Sequence, residues 1–294
     1  MTSDFDRTLI IGRVFVTETR HPDGHSSRAA SGAALETALG LARLSGAVEL
    51  LTNIAPDRDG MQIVYTAIGN DVTIRPVSFT AEKTPRLVVD EGCISDVKHS
   101  GSLWETPTLR QLASSEHLHI ATLSALTGPE SQPVWEFVKR AHRLAHRVTF
   151  DVGLDDDSDC SNAELVDAFE AAAALSSLLH VRREVLNTLY PDLDFFSAVD
   201  HVVSCGAKLV VVTDSSADLL VQAGRKRVHG RRSAALMPDS HTRGRAMASM
   251  ISSSKFFDET KPRKRDLAEL RDQFWNALGM QNAERMHAQV ALST

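Results

Sequence analysis

Cysteine is scarce in this sequence, and its three cysteines form no recognisable pair. Cys93, Cys160 and Cys205 are far apart, and none of them belongs to a C-x-x-C spacing. Such a sparse set argues against a disulfide framework or a zinc site and is typical of a reducing compartment. We therefore expect a cytoplasmic protein without structural disulfides.

Long apolar runs are also absent. No run approaches the length of about 18 residues that a membrane-spanning helix needs. The N-terminal stretch MTSDFDRTL contains acidic residues and no apolar segment, so we expect no signal peptide. With 294 residues, 43% of them hydrophobic, the chain is nevertheless long enough to bury a full core. These features predict a globular protein with no membrane partner.

The sequence lacks the excess of positive charge that is typical of general nucleic-acid binders. It contains 32 basic and 38 acidic residues, a net charge of -6, so nucleic acid is not an expected partner. The charge is uneven, because residues 224–265 hold twelve Lys or Arg and three Asp or Glu. This segment is either a local anion site or contact surface, or a solvated basic face.

Strand-like and helix-like patterns alternate along most of the chain. Residues 8–17, 47–54 and 72–79 are short apolar runs typical of strands, whereas 33–46 and 59–70 have helical spacing. Further on, a loop is predicted over 20–32, a strand over 117–126, a hairpin over 218–230, and a capping box at Ser161 and Glu164. The alternation predicts an α/β protein with parallel strands and helical crossovers.

Residues 82–106 break this alternation. The stretch TPRLVVDEGCISDV alternates apolar and polar residues and contains Glu91-Gly92, a turn signal. We expect a small antiparallel flap that stands off the main sheet.

Five segments, in order, resemble the signatures of the ribokinase-like (PfkB-type) carbohydrate kinases. They are SGAALETALGLARLSGAVELLTNIAPDRDG, TPRLVVDEG, VTFDVG, KLVVVTDSSADLLV and PDSHTRGRAMASM. The resemblance covers nearly the whole chain. It implies one ribokinase-like domain over residues 1–294, an α/β fold with a large mostly parallel sheet, helices on both faces and a small β lid. The lid would comprise residues 14–30 and 82–106, and a homodimer through its edge is expected.

The activity that the resemblance implies is transfer of the γ-phosphoryl group of ATP to a sugar or nucleoside hydroxyl, with Mg²⁺. In the last segment Thr242, Arg243, Gly244 and Arg245 occupy the family's anion hole, and Arg245 stands at the position of the catalytic Asp. Arginine is protonated at neutral pH and cannot accept a proton. The resemblance therefore implies a kinase with impaired phosphoryl transfer or, alternatively, a pseudokinase that binds a ligand or a partner protein.

Two other residues are candidates for a replacement of the catalytic base. Asp239 lies upstream in a predicted turn, and His241 lies four residues before Arg245. A turn residue and a polar surface histidine are the favoured interpretations. Likewise Arg243 and Arg245 either bind an anion or are exposed residues at the start of a helix.

Three earlier positions match the family's sugar contacts. Gly32 belongs to the glycine pair, with Ser31 in place of the first glycine, and Glu36 stands in place of an Asn that would contact sugar hydroxyls. Asp151 keeps the acid of the strand-end motif, while Gly153 replaces its Asn. A carboxylate accepts hydrogen bonds and donates none, so the substitution at Glu36 leaves the preferred substrate open.

The nucleotide positions are also altered. Thr213 is kept, but Ser215 and Asp218 replace glycines that let the backbone approach the nucleotide. Asp218 would place negative charge near phosphate, which is unfavourable. Glu184 matches the acid of the family's metal and phosphate motif, but the accompanying Asn is missing. ATP and Mg²⁺ are thus expected from the resemblance and disfavoured by these departures.

Overall fold

Two β-sheets organise the part of the chain that the structure describes. The computed structural model describes residues 7–44, 47–78, 83–90, 93–98, 112, 115–127, 131–153, 161–214, 218–231, 247–252, 262–274 and 276–277. The strands in these ranges are β1 (Thr8–Ile11), β2 (Phe15–Arg20), β3 (Ser26–Ser31), β4 (Val48–Asn53), β5 (Val72–Ser78), β6 (Arg86–Asp90), β7 (Cys93–Lys98), β8 (His117–Ile120), β9 (Arg147–Val152), β10 (Leu178–Arg182), β11 (Val210–Thr213), β12 (Asp218–Ala223) and β13 (Lys226–Arg231).

Helices follow most strands of the larger sheet. They are α1 (Ala33–Arg43), α2 (Arg58–Ile68), α3 (Gln132–Arg143), α4 (Asn162–Leu175), α5 (Arg183–Leu189) and α6 (Phe195–Ser204). A 3-10 helix covers Leu123–Leu126, and residues 247–252 and 264–274 are also helical. None of the helices in the described ranges is long and apolar enough to cross a membrane.

The larger sheet has nine strands in the order β13-β12-β11-β10-β9-β8-β1-β4-β5. The seven strands from β11 to β5 are parallel to their neighbours, and β12 and β13 continue the sheet as an antiparallel hairpin. The smaller sheet has the order β3-β2-β6-β7. The predicted fold class is confirmed: a large, mostly parallel sheet with helices, plus a small second sheet.

Each face of the large sheet has its own apolar core. One cluster joins α3, α4, α5 and α6 to strand residues such as Leu9 and Phe150. The other joins α1, α2 and the helical segments 247–252 and 264–274 to strand residues such as Ile10. Leu9 and Ile10 face opposite cores because successive strand side chains alternate. Strands covered on both faces are mainly apolar, which is why most strand positions were recognisable in the sequence.

Three predicted elements differ from the structure. The single strand predicted over 8–17 is wrong: β1 is buried on both sides, whereas β2 has alternating burial and belongs to the small sheet. The loop predicted over 20–32 is wrong over Ser26–Ser31, because pairing with β2 holds these turn-forming residues as β3. The strand predicted over 117–126 ends at Ile120.

Other local predictions are confirmed. Ser161 and Glu164 form the predicted capping box, in which the Ser161 backbone N–H donates to Glu164 Oε2 at 2.8 Å. The hairpin of β12 and β13 also forms as predicted. The predicted turn at Glu91-Gly92 lies outside the described residues. The assignment of residues 1–294 to one domain stays a prediction.

Candidate functional site

The small sheet is attached to the large one at the carboxyl ends of its parallel strands. The end of β1 leads into β2 through residues 12–14, and β3 returns through Gly32 to α1. The end of β5 likewise precedes β6. In open parallel sheets, ligands bind beyond these strand ends. We call the four-stranded sheet the lid sheet, and the space between it and the strand ends is the candidate site.

The Asp-x-x-Gly stretch at residues 57–60 connects the body of the protein to the lid sheet. Asp57 caps α2 by accepting a hydrogen bond from the Gly60 N–H at 2.7 Å, and it also accepts the backbone N–H of Thr84 at 2.9 Å. Burial opposes ionisation of Asp57, but the hydrogen bonds from Thr84 and Gly60 outweigh it and hold its pKa below the usual value. A Cβ at residue 60 would lie 2.1 Å from the Ala55 carbonyl oxygen, which explains the glycine.

Four charged side chains form a second connection, which we call the lid junction: Glu18, Arg28, Asp59 and Arg86. Arg86, at the start of β6, donates from Nε to Asp59 Oδ2 at 2.9 Å and from Nη1 to Glu18 Oε2 at 3.3 Å. Arg28 on β3 lies 2.8 Å from Glu18 Oε2. Asp59 and Glu18 are only 5% and 7% exposed, so the arginines neutralise two buried carboxylates. The lid junction therefore fixes three lid strands against α2.

The predicted sugar contacts Gly32 and Glu36 lie where the chain leaves the lid sheet. Gly32 has a φ of 121°, and a Cβ there would lie 2.7 Å from the Arg13 carbonyl oxygen, so another residue would be strained. Glu36 lies in the first turn of α1 and is buried, at 3% exposure. The structure thus places both residues at the edge where the lid sheet meets the body, on a different element from Asp151.

Asp151 and Thr213 are brought together by a residue that the sequence analysis did not single out. His180 lies beside Asp151 in the pairing of β10 with β9. Its Nδ1 is 2.6 Å from Asp151 Oδ1, and its Nε2 is 3.0 Å from Thr213 Oγ1. We call these three residues the strand-end unit, because Asp151 and Thr213 lie near the carboxyl ends of β9 and β11, and His180 at the centre of β10 joins them.

The strand-end unit is a line of carboxylate, imidazole and hydroxyl. Burial opposes ionisation of Asp151, but attraction to His180 and the hydrogen bond between them outweigh it and lower its pKa. The ionised carboxylate accepts the Nδ1 hydrogen, and Nε2 on the other side of the ring is the hydrogen-bond partner of the Thr213 hydroxyl. Such an arrangement orients the hydroxyl and is able to hold or move a proton.

Deeper in the same sheet face lies a second polar group. His117 and His119 of β8 both contact Thr149 Oγ1 of β9, at 2.8 and 2.9 Å. A hydroxyl has one hydrogen, so Thr149 donates to at most one of the two rings and accepts from at least one of them. Burial lowers the pKa of His119 to about 4, so this ring is neutral at pH 7.

The nucleotide positions lie at the ends of β11 and β12. Thr213, Asp214 and Asp218 line one concavity together with side chains that include Arg183 and His229. Arg183 Nη1 is 3.3 Å from Asp214 Oδ2, and its guanidinium lies over the Phe195 ring, 4.3 Å from the centroid. His229 Nε2 is 3.8 Å from Asp218 Oδ2. Arg183 thus places a positive charge beside Asp214, which reduces the repulsion that this end of the sheet would exert on a phosphate, and the His229 ring lies beside Asp218.

Glu184, the predicted metal-binding acid, lies in the first turn of α5 and is exposed. Among the described residues, no three ligating side chains converge at the strand ends. Magnesium typically binds one or two carboxylates together with substrate phosphates. Asp214 lines the concavity and fits that limited role, in which bound Mg²⁺ would neutralise phosphate charge, whereas Glu184 is not among the residues that line it.

Four predicted anion-hole residues, Thr242, Arg243, Gly244 and Arg245, lie outside the described residues, as does Ser215. Their assignment, including that of Arg245 to the base position, stays a prediction. The same holds for the roles assigned to the sugar and nucleotide positions above. What the structure adds is their arrangement: Asp151 and Thr213 share one hydrogen-bonded unit, and Thr213 and Asp218 share one concavity.

Comparison with known proteins agrees with this architecture. No family model matches the chain. A fructokinase from Klebsiella pneumoniae is 23% identical over 208 residues, which are 68% of this chain and 66% of the fructokinase. The matched segment thus spans slightly less than two thirds of that relative.

Solved structures match more of the chain. Aminoimidazole riboside kinase from Salmonella enterica, complexed with aminoimidazole riboside and an ATP analog, has a TM-score of 0.76 at 15% identity, covering 92% of this chain and 91% of that one. Fructokinase with bound ATP from Xylella fastidiosa has a TM-score of 0.73 at 16% identity, covering 99% and 100%. The resemblance to ribokinase-like kinases is confirmed at the level of the fold: this chain has the ribokinase-like α/β fold.

Proposed function

We propose that this protein binds a sugar or nucleoside between the lid sheet and the strand ends, and that its phosphoryl transfer from ATP is impaired. The fold is that of proteins described as kinases of fructose or of a riboside. The impairment follows from Arg245, which replaces the aligned catalytic Asp. In the limiting case the protein is a pseudokinase, a ligand-binding or protein-interaction module.

The hydrogen bonds of the strand-end unit are the main support for this proposal. It joins a predicted substrate residue, Asp151, to a predicted nucleotide residue, Thr213, through His180. An ionised carboxylate at the strand ends suits the hydroxyl groups of a sugar, since it accepts hydrogen bonds from them. Glu36, in the first turn of α1 after the lid sheet, would offer a second carboxylate to the same ligand.

The nucleotide half supports binding of ATP more weakly. Arg183 offers positive charge next to Asp214, and the His229 ring lies next to Asp218, but both side chains already have carboxylate partners. Phosphate binding therefore has to compete with existing ion pairs. Mg²⁺ bound at Asp214 would relieve part of this competition by adding positive charge. We accordingly expect ATP to bind less tightly than the sugar or nucleoside.

Thermal shift with a panel of sugars and nucleosides, with and without ATP·Mg²⁺, tests the binding part. We expect at least one panel member to raise the melting temperature, because a ligand that binds only the folded state stabilises it. Asp151→Asn should abolish that shift, since the amide lacks one acceptor and carries no charge. Asp192→Asn, the same change at an exposed turn residue, should leave it intact.

Failure of every panel member to bind would contradict the proposal, and so would equal shifts in Asp151→Asn and the wild type. Ligand binding without ATP turnover would support it.

The proposed dimer would cover an edge strand of the lid sheet, β3 or β7, because exposed strand edges tend to be paired. If analytical ultracentrifugation finds a monomer, the dimer is refuted and the proposal about ligand binding is unaffected.

A further inference from the structure

Three metal-ligating side chains meet outside the candidate site, between α4 and α6. They are Glu170 on α4, His201 on α6 and Cys205 directly after the end of α6. One potential ligand atom from each lies within 4.8 Å of the other two. His201 Nε2 is 2.8 Å from Glu170 Oε1 and 3.8 Å from Cys205 Sγ.

The fold explains this convergence. His201 and Cys205 are four residues apart, so they project from the same side of the last turn of α6. The two helices pack in the same apolar core, to which Phe169 contributes from α4 and Val202 from α6. Glu170 is adjacent to Phe169 and extends from the edge of that contact toward His201. The sequence contains no C-x-x-C spacing, so this site depends on the contact between the helices.

We propose that Glu170, His201 and Cys205 bind a zinc ion. Thiolate, imidazole and carboxylate are the protein ligands of zinc, and three of them leave a fourth position for water. A thiolate and a carboxylate carry two negative charges, which a divalent cation neutralises. Among the described residues no Lys or Arg forms an ion pair with Glu170, so its charge is not already balanced by one.

The distances suit such an ion after a small adjustment. Zinc bonds of about 2.3 Å to sulfur and about 2.0 Å to nitrogen or oxygen imply ligand separations of roughly 3.3 to 3.6 Å in a tetrahedron. The S···N separation of 3.8 Å is close to this, and the N···O separation of 2.8 Å has to lengthen as the hydrogen bond is replaced. The side chains of His201 and Glu170 are 40% and 36% exposed, so an ion can reach them.

Tyr190 provides the supporting contact that zinc ligands usually have. Its hydroxyl donates to Glu170 Oε1 at 3.3 Å, and its ring packs edge-on against His201 at 5.1 Å between centroids. Hydrogen bonds to a ligating carboxylate fix its orientation and typically contribute tenfold or more to metal affinity. Tyr190 is therefore a positioning residue. The ion would link α4 to α6 and stabilise the outer helix layer.

Cobalt titration of the full chain, without a polyhistidine tag and after chelator treatment, tests the proposal. Cobalt(II) bound to a thiolate gives a near-ultraviolet charge-transfer band, and tetrahedral cobalt gives strong visible bands. We expect both to saturate at one equivalent, and added Zn²⁺ to abolish them. Cys205→Ser should lose the charge-transfer band, whereas Cys93→Ser, the matched control on β7, should keep it.

Circular dichroism would reveal misfolding of Cys205→Ser. Two further variants therefore test the same site independently. Glu170→Gln should weaken zinc binding at least tenfold, and Tyr190→Phe roughly tenfold. No saturable cobalt band in the wild type would overturn the proposal, as would a thiolate band that persists in folded Cys205→Ser. Neither outcome bears on the sugar or nucleoside site, because the three ligands lie outside it.

Discussion

The lid junction and the strand-end unit face the same candidate site but use polar groups in opposite ways. At the lid junction, two buried carboxylates are matched by two arginines in direct contact. In the strand-end unit, one carboxylate is matched by a histidine that also contacts a hydroxyl. The first arrangement consists of fixed charges, whereas the second contains groups that are able to exchange a proton or a hydrogen-bond partner.

This difference suggests two roles: the lid junction anchors the lid sheet, and the strand-end unit contacts the ligand. An arginine–carboxylate network holds its geometry at all pH values near neutrality, which suits a junction between lid sheet and body. A carboxylate–imidazole–hydroxyl line is able to exchange its hydrogen-bond partners, which suits contact with a polar ligand. We therefore expect changes at the lid junction to act mainly on stability, and changes in the strand-end unit to act on ligand binding as well.

The largest effect is expected for Arg86→Met. It leaves Asp59 and Glu18 buried with one fewer cation, and breaking a buried ion pair from one side costs about 3 to 5 kcal/mol. Urea denaturation measures the loss in free energy of unfolding. Lys139→Met is the matched control, because its ion pair with Glu136 is exposed on both sides and should contribute less than about 1 kcal/mol. Equal effects of the two substitutions would contradict the anchoring role.

A smaller loss is expected for His180→Leu. It removes both hydrogen bonds of the strand-end unit and leaves the Asp151 carboxylate without its histidine, which costs about 2 to 3 kcal/mol. The same variant should also weaken binding of any sugar or nucleoside found in the panel. Urea denaturation and calorimetric titration check the two effects. A stable variant with unchanged ligand affinity would show that the unit is not part of the site.

Acidification should destabilise the protein through His119. The unfolded chain takes up a proton at His119 near pH 6.5, whereas in the folded protein its pKa is about 4. Between these values the unfolded state binds more protons, so stability falls as the pH falls. From pH 6.5 to about pH 5 the loss from this group is about 1.5 kcal/mol. His119→Leu should flatten the pH dependence of the free energy of unfolding over that range; an unchanged slope would be inconsistent with a neutral buried ring.

The smallest effect is expected for Thr213→Val, which keeps the volume and removes one hydrogen bond. Its cost should be about 1 kcal/mol. Combined with His180→Leu, it should add almost nothing, because the bond it breaks is already absent there. A double-mutant cycle by urea denaturation measures this coupling. Full additivity of the two losses would mean that the contact between Thr213 and His180 does not stabilise the protein.

Sequence patterns predicted the large sheet because its strands are short, mainly apolar runs that alternate with helices. They missed β3, whose turn-forming residues Ser26 and Ser27 are held by pairing with β2. The resemblance singled out Asp151 and Thr213, but the intervening histidine was missed. Its role depends on the register of β9, β10 and β11, which no local pattern specifies. Alternating histidines in apolar strands, as in HLHI, were an available signal for buried polar groups.

The lid junction was missed for a similar reason. Arg86 is 27 residues from Asp59 and 68 from Glu18 along the chain, so the contacts form only when the lid sheet meets α2. Charged residues in a strand are usually assigned to solvent on sequence grounds alone. Tertiary contacts of this kind decide which charges are buried, and composition does not contain that information.

The rate of phosphoryl transfer from ATP·Mg²⁺ to the tightest-binding sugar or nucleoside tests the central claim most directly. The account predicts wild-type transfer that is slower than ordinary kinase turnover by about 10² to 10⁴ or more, and a gain in Arg245→Asp, since a positioned base contributes about that factor in rate. Ligand binding should persist in both proteins. Wild-type turnover at about 1 to 100 per second, the usual range for kinases, would contradict the account.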